Sequence, residues 1–373
     1  MAKKNDCCAQ KDPARLNKVG GQAVIEGVMM KAGERTVTTC RKDDKSIVVY
    51  DGKFVSVRKK LKLLNIPILR GFINFIEMMI LSIKTLSDSA DAYGLEDQEG
   101  KFEKWLKKHF GFGATVIIMV ISVILGLALS LGLFLVLPSF ISYLINTFLC
   151  AGKLPTLAVV AIEGVTKVAI FLAYLWLVSL MPDIKRTFMY HGAEHKSIAC
   201  FESGAELSAE NAKNYTRFHP RCGTSFMFFM ILLGIFAGFF VKTLFPGLSQ
   251  VRYTLIRLFI LPLIMGLGYE FIMLAGKHEN FITRALSAPG LWIQRLTTKE
   301  PTEDMLEVAI ISIKCALRDD FPEFKEFYEN KPWENKDKCE EADDKNVSDD
   351  EKTETVETEE AKATEENEAI DGN

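Results

Sequence analysis

Histidine is scarce in this chain, which has only five histidines in 373 residues. Membrane di-iron desaturases and hydroxylases require more imidazole ligands than this, so the sequence disfavours that class. No apolar run long enough for a bilayer span precedes residue 110, and the polar segment Met1–Lys18 lacks a signal pattern, so we expect no cleavable signal peptide. Most of the eight cysteines fall on segments expected to face the cytosol, which predicts free thiols and no disulfide framework.

Charge is absent from Phe110 to Gly152, where no Asp, Glu, Lys or Arg occurs. Because a bilayer span needs about 20 apolar residues, this window predicts a transmembrane helix over roughly 113–137, ended by Pro138. Further apolar runs predict three more spans: Leu157–Met181, Thr224–Val241 and Tyr253–Gly276. We therefore expect a mainly α-helical, polytopic membrane protein with about four transmembrane helices, whose first partner is the lipid bilayer.

The basic residues predict the orientation of these spans. Six Lys/Arg lie in segment 182–222, whereas segment 138–155 holds one and segment 242–252 holds two. By the positive-inside rule, the 182–222 loop and both termini are expected in the cytoplasm. Residues 334–373 carry 17 acidic and 5 basic side chains and no aromatic ring, which predicts a disordered acidic tail.

Composition and turn residues divide the chain into segments. We expect a disordered leader over 1–18, a small β unit over 19–60, an interfacial or re-entrant helix over 61–87, a charged connector over 88–111, a four-span membrane domain over 112–276, a cap of cytoplasmic helices over 277–333 and the tail over 334–373. Within the β unit, short strands are predicted at Thr36–Cys40, Ile47–Tyr50 and Phe54–Val57, with tight turns at 42–45 and Asp51-Gly52. In the cap, Pro301–Leu317 predicts a helix with an acidic first turn.

The residues with the most chemical content form the pattern His191-Gly-Ala-Glu194-His195. His191 and His195 are four residues apart, so on a helix both imidazoles project from one face, as a shared metal ion requires. The order H-x-x-E-H is the inverted-zincin pattern, which predicts a site for zinc or another divalent transition metal, with Glu194 as general base. Cys222 as a thiolate, or His219, would complete the set of ligands.

Each of these candidates has a structural alternative. The two imidazoles can equally form hydrogen bonds within a packed cytoplasmic cap, and Cys200 nearby is interpreted as packing. Glu270, near the cytoplasmic end of the fourth predicted span, is a candidate catalytic residue, either as a further ligand or as a group that orients one. Glu163 and Lys167, four residues apart on the second predicted span, predict a mutual ion pair.

Three other features of the sequence have mainly structural interpretations. Gly192 weakens the helix prediction, because glycine costs about 1 kcal/mol inside a helix, although it would also let a metal or a substrate approach the backbone. Glu26, in a glycine-flanked apolar run, predicts a structural turn. Arg217 and Arg221 predict either a bidentate anion site or basic residues that only set the topology.

Several strings together resemble the YqhQ-like family of bacterial membrane proteins: GGQAVIEGVMM, YHGAEHK, HPRCGTSF, GYE and PGLWIQRLTTKEP. The family is a domain of unknown function described as predicted metal-dependent enzymes. The resemblance therefore implies a metal-dependent activity in a bacterial inner (plasma) membrane. It also implies functional roles for the residues that lie in the matching strings: Glu26, His191, Glu194, His195, His219, Arg221, Cys222 and Glu270.

We therefore expect an integral membrane metal-dependent hydrolase, with zinc as the metal and a membrane protein or a lipid as the substrate. The alternative is a non-catalytic membrane scaffold or assembly factor with a structural metal or histidine cluster. A closed site that includes both His219 and Cys222 would favour the scaffold, because no position is left for water. A transporter is disfavoured by the lack of an internal repeat, and nothing in the sequence predicts nucleic-acid binding or an oligomeric state.

Overall fold

The computed structural model describes residues 12–94, 113–277 and 281–324. Within these residues the chain is mainly helical, with one four-stranded antiparallel sheet near its N-terminal end. Four helices are long and apolar enough to cross a membrane, so the predicted fold class is confirmed. Most of the predicted connector, the first part of the predicted leader and the whole acidic tail 334–373 lie outside the described residues.

The N-terminal sheet is a meander of consecutive antiparallel strands: β1 (Val19–Val24), β2 (Gly27–Ala32), β3 (Arg35–Arg41) and β4 (Ile47–Lys53). The turn between β1 and β2 contains Glu26, which has a φ of +47° and lies in a structural turn, as predicted. The turn between β3 and β4 contains Lys45, also with a positive φ. The glycine-bracketed apolar run at the start of the chain is therefore a hairpin.

The end of the sheet differs from the prediction. β4 continues through Asp51-Gly52, so the turn predicted there is wrong. Gly52 lies opposite Thr36, whose hydroxyl is 2.9 Å from where a Cβ would stand and so packs against the bare strand. The strand predicted over Phe54–Val57 is also wrong, because the Ser56 hydroxyl accepts a backbone hydrogen bond and caps a short helix.

The helices are numbered in chain order: α1 (Val57–Lys60), α2 (Leu69–Ala92), α3 (Gly113–Leu131), α4 (Leu137–Leu144), α5 (Thr156–Ser179), α6 (Pro182–Glu202), α7 (Ala209–Lys213), α8 (Gly223–Leu244), α9 (Gln250–Lys277), α10 (Phe281–Thr297) and α11 (Glu303–Ala316). The candidate spans are Val120–Leu149, Thr156–Ser179, Gly223–Leu244 and Gln250–Phe271. Because the chain crosses four times, the segments before the first span, between the second and third spans and after the fourth span lie at the same end. These segments contain the sheet, α6, α7, α10 and α11. The predicted 182–222 loop is mostly the helix α6.

The first span is longer than predicted. A π-helical turn, Gly132–Val136, joins α3 to α4, and a second one extends α4 to Leu149. The prediction that Pro138 ends this span is therefore wrong. Proline lacks an N–H and its ring disturbs the turn before it. The wider π turn, in which the Leu137 N–H donates to the Gly132 carbonyl, accommodates the ring without ending the helix.

The sheet is covered on both faces. One face packs against α2, where Val24, Met29 and Cys40 surround Leu81. The other face packs against α6 and α11, through a continuous core that includes residues from all three elements: Val28, Met30, Val37, Tyr190, Ile198, Leu306, Ile310 and Ile313. The apolar face predicted for the Pro301–Leu317 helix is thus buried on the sheet.

Residues 12–18 of the predicted disordered leader are bound to the rest of the protein, so that prediction does not hold for them. The Asp12 N–H donates to the Glu202 carbonyl at 2.8 Å, and the Asn17 N–H donates to the Glu202 carboxylate at 3.2 Å. These bonds hold the chain against the end of α6 just before it enters β1.

Two glycines bring α2 into close contact with α9. A Cβ on Gly71 would stand 2.9 Å from the Gly266 carbonyl oxygen, and a Cβ on Gly266 would stand 2.3 Å from the Ile68 carbonyl oxygen. Beside this crossing, Arg70 forms an ion pair with Glu270. α2 is not among the helices apolar enough to span a membrane, yet it exposes a row of large apolar side chains: Met79, Ile80, Ile83 and Leu86. Its location at the membrane interface stays a prediction.

We expect Gly266→Ala to lower the free energy of unfolding by about 1–3 kcal/mol, because the new Cβ would overlap the Ile68 carbonyl oxygen and displace α2. Thermal unfolding in detergent, followed by circular dichroism, measures the change. Gly234→Ala is the matched control, since a Cβ there meets no atom within 4 Å and should not lower Tm. Equal melting temperatures for the two variants would contradict the close packing of α2 on α9.

Candidate metal centre

The H-x-x-E-H segment is helical, as its spacing predicts. α6 begins with Pro182 in its first turn and with the acidic Asp183, both of which are favourable at a helix N-terminus, and it continues unbroken to Glu202. His191 and His195 therefore project from one face, and their ring centroids lie 4.4 Å apart.

Gly192 has a packing reason to stand inside this helix. A Cβ at this position would lie 2.0 Å from the carbonyl oxygen of Lys299. The segment Thr297–Pro301, between α10 and α11, passes directly over the helix here, and the Lys299 N–H donates to the Phe188 carbonyl at 2.8 Å. The glycine thus admits a neighbouring backbone of the same chain.

Backbone carbonyls orient both imidazoles. The Thr297 carbonyl oxygen lies 2.9 Å from Nδ1 of His191, and the Arg217 carbonyl oxygen lies 2.6 Å from Nδ1 of His195. A carbonyl oxygen only accepts, so Nδ1 carries the proton in each ring and Nε2 keeps a lone pair. Metal-binding histidines are usually fixed by such a second hydrogen bond. Both rings are therefore already in the tautomer that binds a metal through Nε2.

Cys222 brings a third donor to the two histidines. It is the N-cap residue of α8, and its Sγ lies 3.2 Å from Nε2 of His191. The Thr224 hydroxyl donates to the same sulfur at 3.3 Å, and the helix N-terminus favours negative charge at this position. One ligand atom from each of His191, His195 and Cys222 lies within 4.8 Å of the other two. Imidazole nitrogen and thiolate sulfur are both donors that zinc accepts.

His219 stands beside this group and is not part of it. Its ring centroid is 5.5 Å from that of His195, and its Nε2 accepts a hydrogen bond from the Arg221 guanidinium at 3.2 Å. Gln294 on α10 holds its backbone, accepting from the His219 N–H at 2.8 Å and donating to the His219 carbonyl at 2.7 Å. Of the two candidates that the sequence left open, this geometry favours Cys222.

Glu194 is buried next to the three donors but outside their group. It is 5% exposed, and its Oε2 has no hydrogen-bond partner among the described residues. A Cβ at Gly21 of β1 would lie 3.1 Å from its Cγ, so the strand packs closely against the side chain. Burial raises the pKa of Glu194 to about 7, and the nearby His191 opposes this rise. A buried oxygen without a partner is unfavourable, which points to a group that the polypeptide itself does not supply.

Glu270 is not brought to the histidines. Its carboxylate accepts from Arg70 Nε at 2.6 Å, from Arg70 Nη2, and from the Ile68 N–H at 3.4 Å. It is absent from the group of possible metal ligands among the described residues. The role of Glu270 as a further ligand or as a group that orients one stays a prediction, and the counter-charge that the structure gives it is a guanidinium on α2.

Glu26 and Arg221 have structural partners. The Glu26 carboxylate forms a bidentate pair with Arg186 and accepts from the Tyr190 hydroxyl at 3.3 Å. Arg221 pairs with the buried carboxylate of Glu202. The two pairs fasten the β1–β2 turn and the loop before α8 to the helix that carries the histidines. For Arg221 this favours a structural role over anion binding.

Sequence reasoning missed the groups that orient the ligands. Thr297 and Arg217 act through backbone carbonyls, which have no side-chain signal. Gln294 acts through its side chain, which is fully buried on α10, but a single glutamine in the sequence does not indicate which backbone it binds. Cys200 is fully buried in the core under the site, in agreement with its interpretation as packing.

We expect Gly192→Ala to lower the free energy of unfolding by about 1–3 kcal/mol or more, because its Cβ would collide with the Lys299 carbonyl and displace the segment Thr297–Pro301. Trypsin should then cleave faster after Lys299, as followed by mass spectrometry of timed digests. Gly223→Ala is the control, because a Cβ there meets nothing within 4 Å. Cleavage of Gly192→Ala at the wild-type rate would show that the segment does not depend on the glycine.

Comparison with known proteins gives a family without an assigned activity. A family model described as "Protein of unknown function (DUF1385)" matches residues 66–319. The chain is also similar to "Uncharacterized protein YqhQ" of Bacillus subtilis (strain 168), with 37% identity over 305 residues, covering 80% of this chain and 92% of that protein. No solved structure matches the chain. The matched region contains all three donors of the candidate metal centre.

Proposed function

The chain belongs to the DUF1385 family of proteins of unknown function, and we propose that it is an integral membrane, metal-dependent hydrolase. The observation that carries the proposal is the convergence of His191, His195 and Cys222 within 4.8 Å. The proposal is supported by the two carbonyl oxygens that bind Nδ1 of His191 and Nδ1 of His195, because these contacts leave Nε2 of each ring to bind a metal.

The set of donors fits zinc. Zinc takes imidazole nitrogen at about 2.0–2.1 Å and thiolate sulfur at about 2.3 Å, and catalytic sites use three protein ligands and leave the fourth position open. His219, beside His195, is a side chain able to close that position, but its Nε2 accepts a hydrogen bond from Arg221. An open position favours a hydrolase over a scaffold, which needs a closed structural site.

When bound, zinc supplies Lewis-acid activation of water and polarisation of a carbonyl or phosphoryl oxygen. His191, His195 and Cys222 hold the metal, and the carbonyls of Thr297 and Arg217 keep the two rings in place. Glu194, one residue before His195, accepts a proton from the attacking water at Oε2, its atom without a partner. The packing of Gly21 against Glu194 limits the rotation of this side chain.

The position of the donors favours a substrate at the membrane surface. Cys222 directly precedes the third span, and α6 begins three residues after the second span ends. The substrate is accordingly a membrane protein or a lipid. The excess of basic residues at this end of the spans supports a site and both termini on the cytoplasmic side of a bacterial inner membrane.

Protein purified in detergent without chelator should contain about one zinc per chain, and His191→Ala, His195→Ala and Cys222→Ala should each lose it. His219→Gln is the matched control and should keep its zinc, because His219 lies outside the donor group. Elemental analysis by plasma mass spectrometry measures the ratio of metal to protein.

Two results would contradict the open three-ligand site. Wild-type protein without metal, or full metal retention in all three ligand variants, would reduce the donors to a packed cluster. Loss of zinc from His219→Gln as well would indicate a closed four-ligand site and favour the scaffold.

We expect Glu194→Gln to keep the metal and the fold but to lower the hydrolytic rate by roughly 10²–10⁴-fold, because the amide cannot accept the proton. The substrate need not be known: membranes from the organism are incubated with the purified protein in H₂¹⁸O, and mass spectrometry searches for products that carry ¹⁸O. Products that depend on wild-type protein should disappear with Glu194→Gln.

Glu206→Gln, an exposed glutamate in the loop after α6, is the control for this experiment and should leave labelling unchanged. The assignment of Glu194 as the base would be contradicted if wild-type protein gave no labelled product. Equal labelling by Glu194→Gln and wild type would contradict it as well. Zinc content measured on the same samples separates loss of chemistry from loss of metal.

A further inference from the structure

A second polar cluster lies toward the opposite end of the spans from the metal centre. Its members come from four helical segments and are mostly buried: Ser139, Glu163, Lys167, Lys242, Tyr253 and Arg257. Glu163 and Arg257 each lie about 10 Å along their helices from that end, at about 1.5 Å per residue. The predicted ion pair of Glu163 with Lys167 is not formed, and Glu163 pairs with Arg257 instead.

The carboxylate of this cluster, Glu163, is bound by partners other than Lys167. Glu163 Oε1 accepts from Arg257 and from the Ser139 hydroxyl at 2.9 Å. Its Oε2 accepts from the Tyr253 hydroxyl at 3.2 Å and lies 3.7 Å from the Lys242 ammonium. Three of these partners donate hydrogen bonds and Lys242 adds an ion pair, so the negative charge of Glu163 is compensated without Lys167.

Lys167 is therefore left without a counter-ion. It is 6% exposed and lies one turn further along α5 than Glu163. Within the described parts of the chain, no carboxylate oxygen lies within 4.0 Å of its ammonium and no acceptor binds it. The cluster thus holds three cations and one anion. Unpaired charge within a membrane-spanning region is unfavourable and is typical of sites for ions or substrates.

We propose that this cluster binds an oxyanion of the phosphate class, with Lys167, Lys242 and Arg257 as its ligands. Three cations against one carboxylate leave two positive charges in excess, so an anion of charge −2 cancels the excess and an anion of charge −1 halves it. Arg257 makes its described hydrogen bonds through Nη1, so Nε and Nη2 remain for a bidentate contact. Lys167 adds three N–H donors.

Gly238 and Lys242 of α8 border these groups. A Cβ on Gly238 of α8 would lie 2.7 Å from the Tyr253 hydroxyl and 3.5 Å from Arg257 Cζ, so the bare backbone makes room for the guanidinium. The Lys242 side chain keeps 19% of its surface exposed and lies two residues before the end of α8. The anion enters from that side of the membrane, either as the phosphodiester of a lipid head group or as inorganic phosphate.

The test uses the full-length protein, delipidated in detergent, and follows Tm as inorganic phosphate or short-chain phosphatidylglycerol is added, with uncharged diacylglycerol as the lipid control. A saturating ligand should raise the Tm of the wild type by several degrees, about 2–4 °C or more. Lys167→Met should lose this shift. Without anion its Tm should equal or exceed that of the wild type, since the unpaired charge is gone. Lys153→Met, exposed in the turn between α4 and α5, should behave as wild type.

Each outcome decides the proposal. A shift with phosphate supports a soluble anion, and a shift with phosphatidylglycerol alone supports a lipid head group. No shift with either ligand, or an equal shift in wild type and Lys167→Met, overturns it. If Lys167→Met does not fold, Lys242→Gln takes its place. This variant should raise the half-saturating anion concentration about tenfold. An unchanged half-saturating concentration overturns the proposal.

Discussion

The close approach of the Lys299 carbonyl to the bare backbone at Gly192 is the contact on which the site depends. It lets the segment Thr297–Pro301 lie directly on α6, where the Thr297 carbonyl fixes the ring of His191. The position of this segment also fixes α10, from which Gln294 binds the loop before α8. It leads α11 onto the face of the sheet that does not contact α2. The metal donors, the cap and the N-terminal sheet are therefore coupled through one point of contact between backbones.

The two polar clusters of the molecule are built on opposite principles. At the metal centre, backbone carbonyls orient the two imidazoles, and the described group of donors consists of His191, His195 and Cys222 without a carboxylate. In the second cluster, three cations surround one carboxylate, Glu163, and within the described residues the ammonium of Lys167 has no ion-pair partner. The first arrangement suits a soft cation and the second suits an anion. Because they lie toward opposite ends of the spans, the two sites are chemically separate.

Much of the fold and part of the site could be predicted from local patterns. Apolar runs gave the number of spans, and the spacing of four residues gave the convergence of His191 and His195. The predicted end of the first span at Pro138 was wrong, because the π turn beside this proline depends on packing that cannot be predicted from composition. The partners of Glu163 and Glu270 could not be predicted, because Arg257 and Arg70 are 94 and 200 residues away from them in the chain. The carbonyls that orient the imidazoles belong to backbone, which has no sequence signature.

X-ray absorption at the zinc edge, on wild-type protein purified in detergent, tests the central claim most directly because it reads the ligand shell itself. The account predicts one sulfur at about 2.3 Å, two imidazole nitrogens at about 2.0–2.1 Å and one further light atom in the open position. A shell without sulfur, or one with sulfur and three imidazoles, would contradict the site formed by His191, His195 and Cys222.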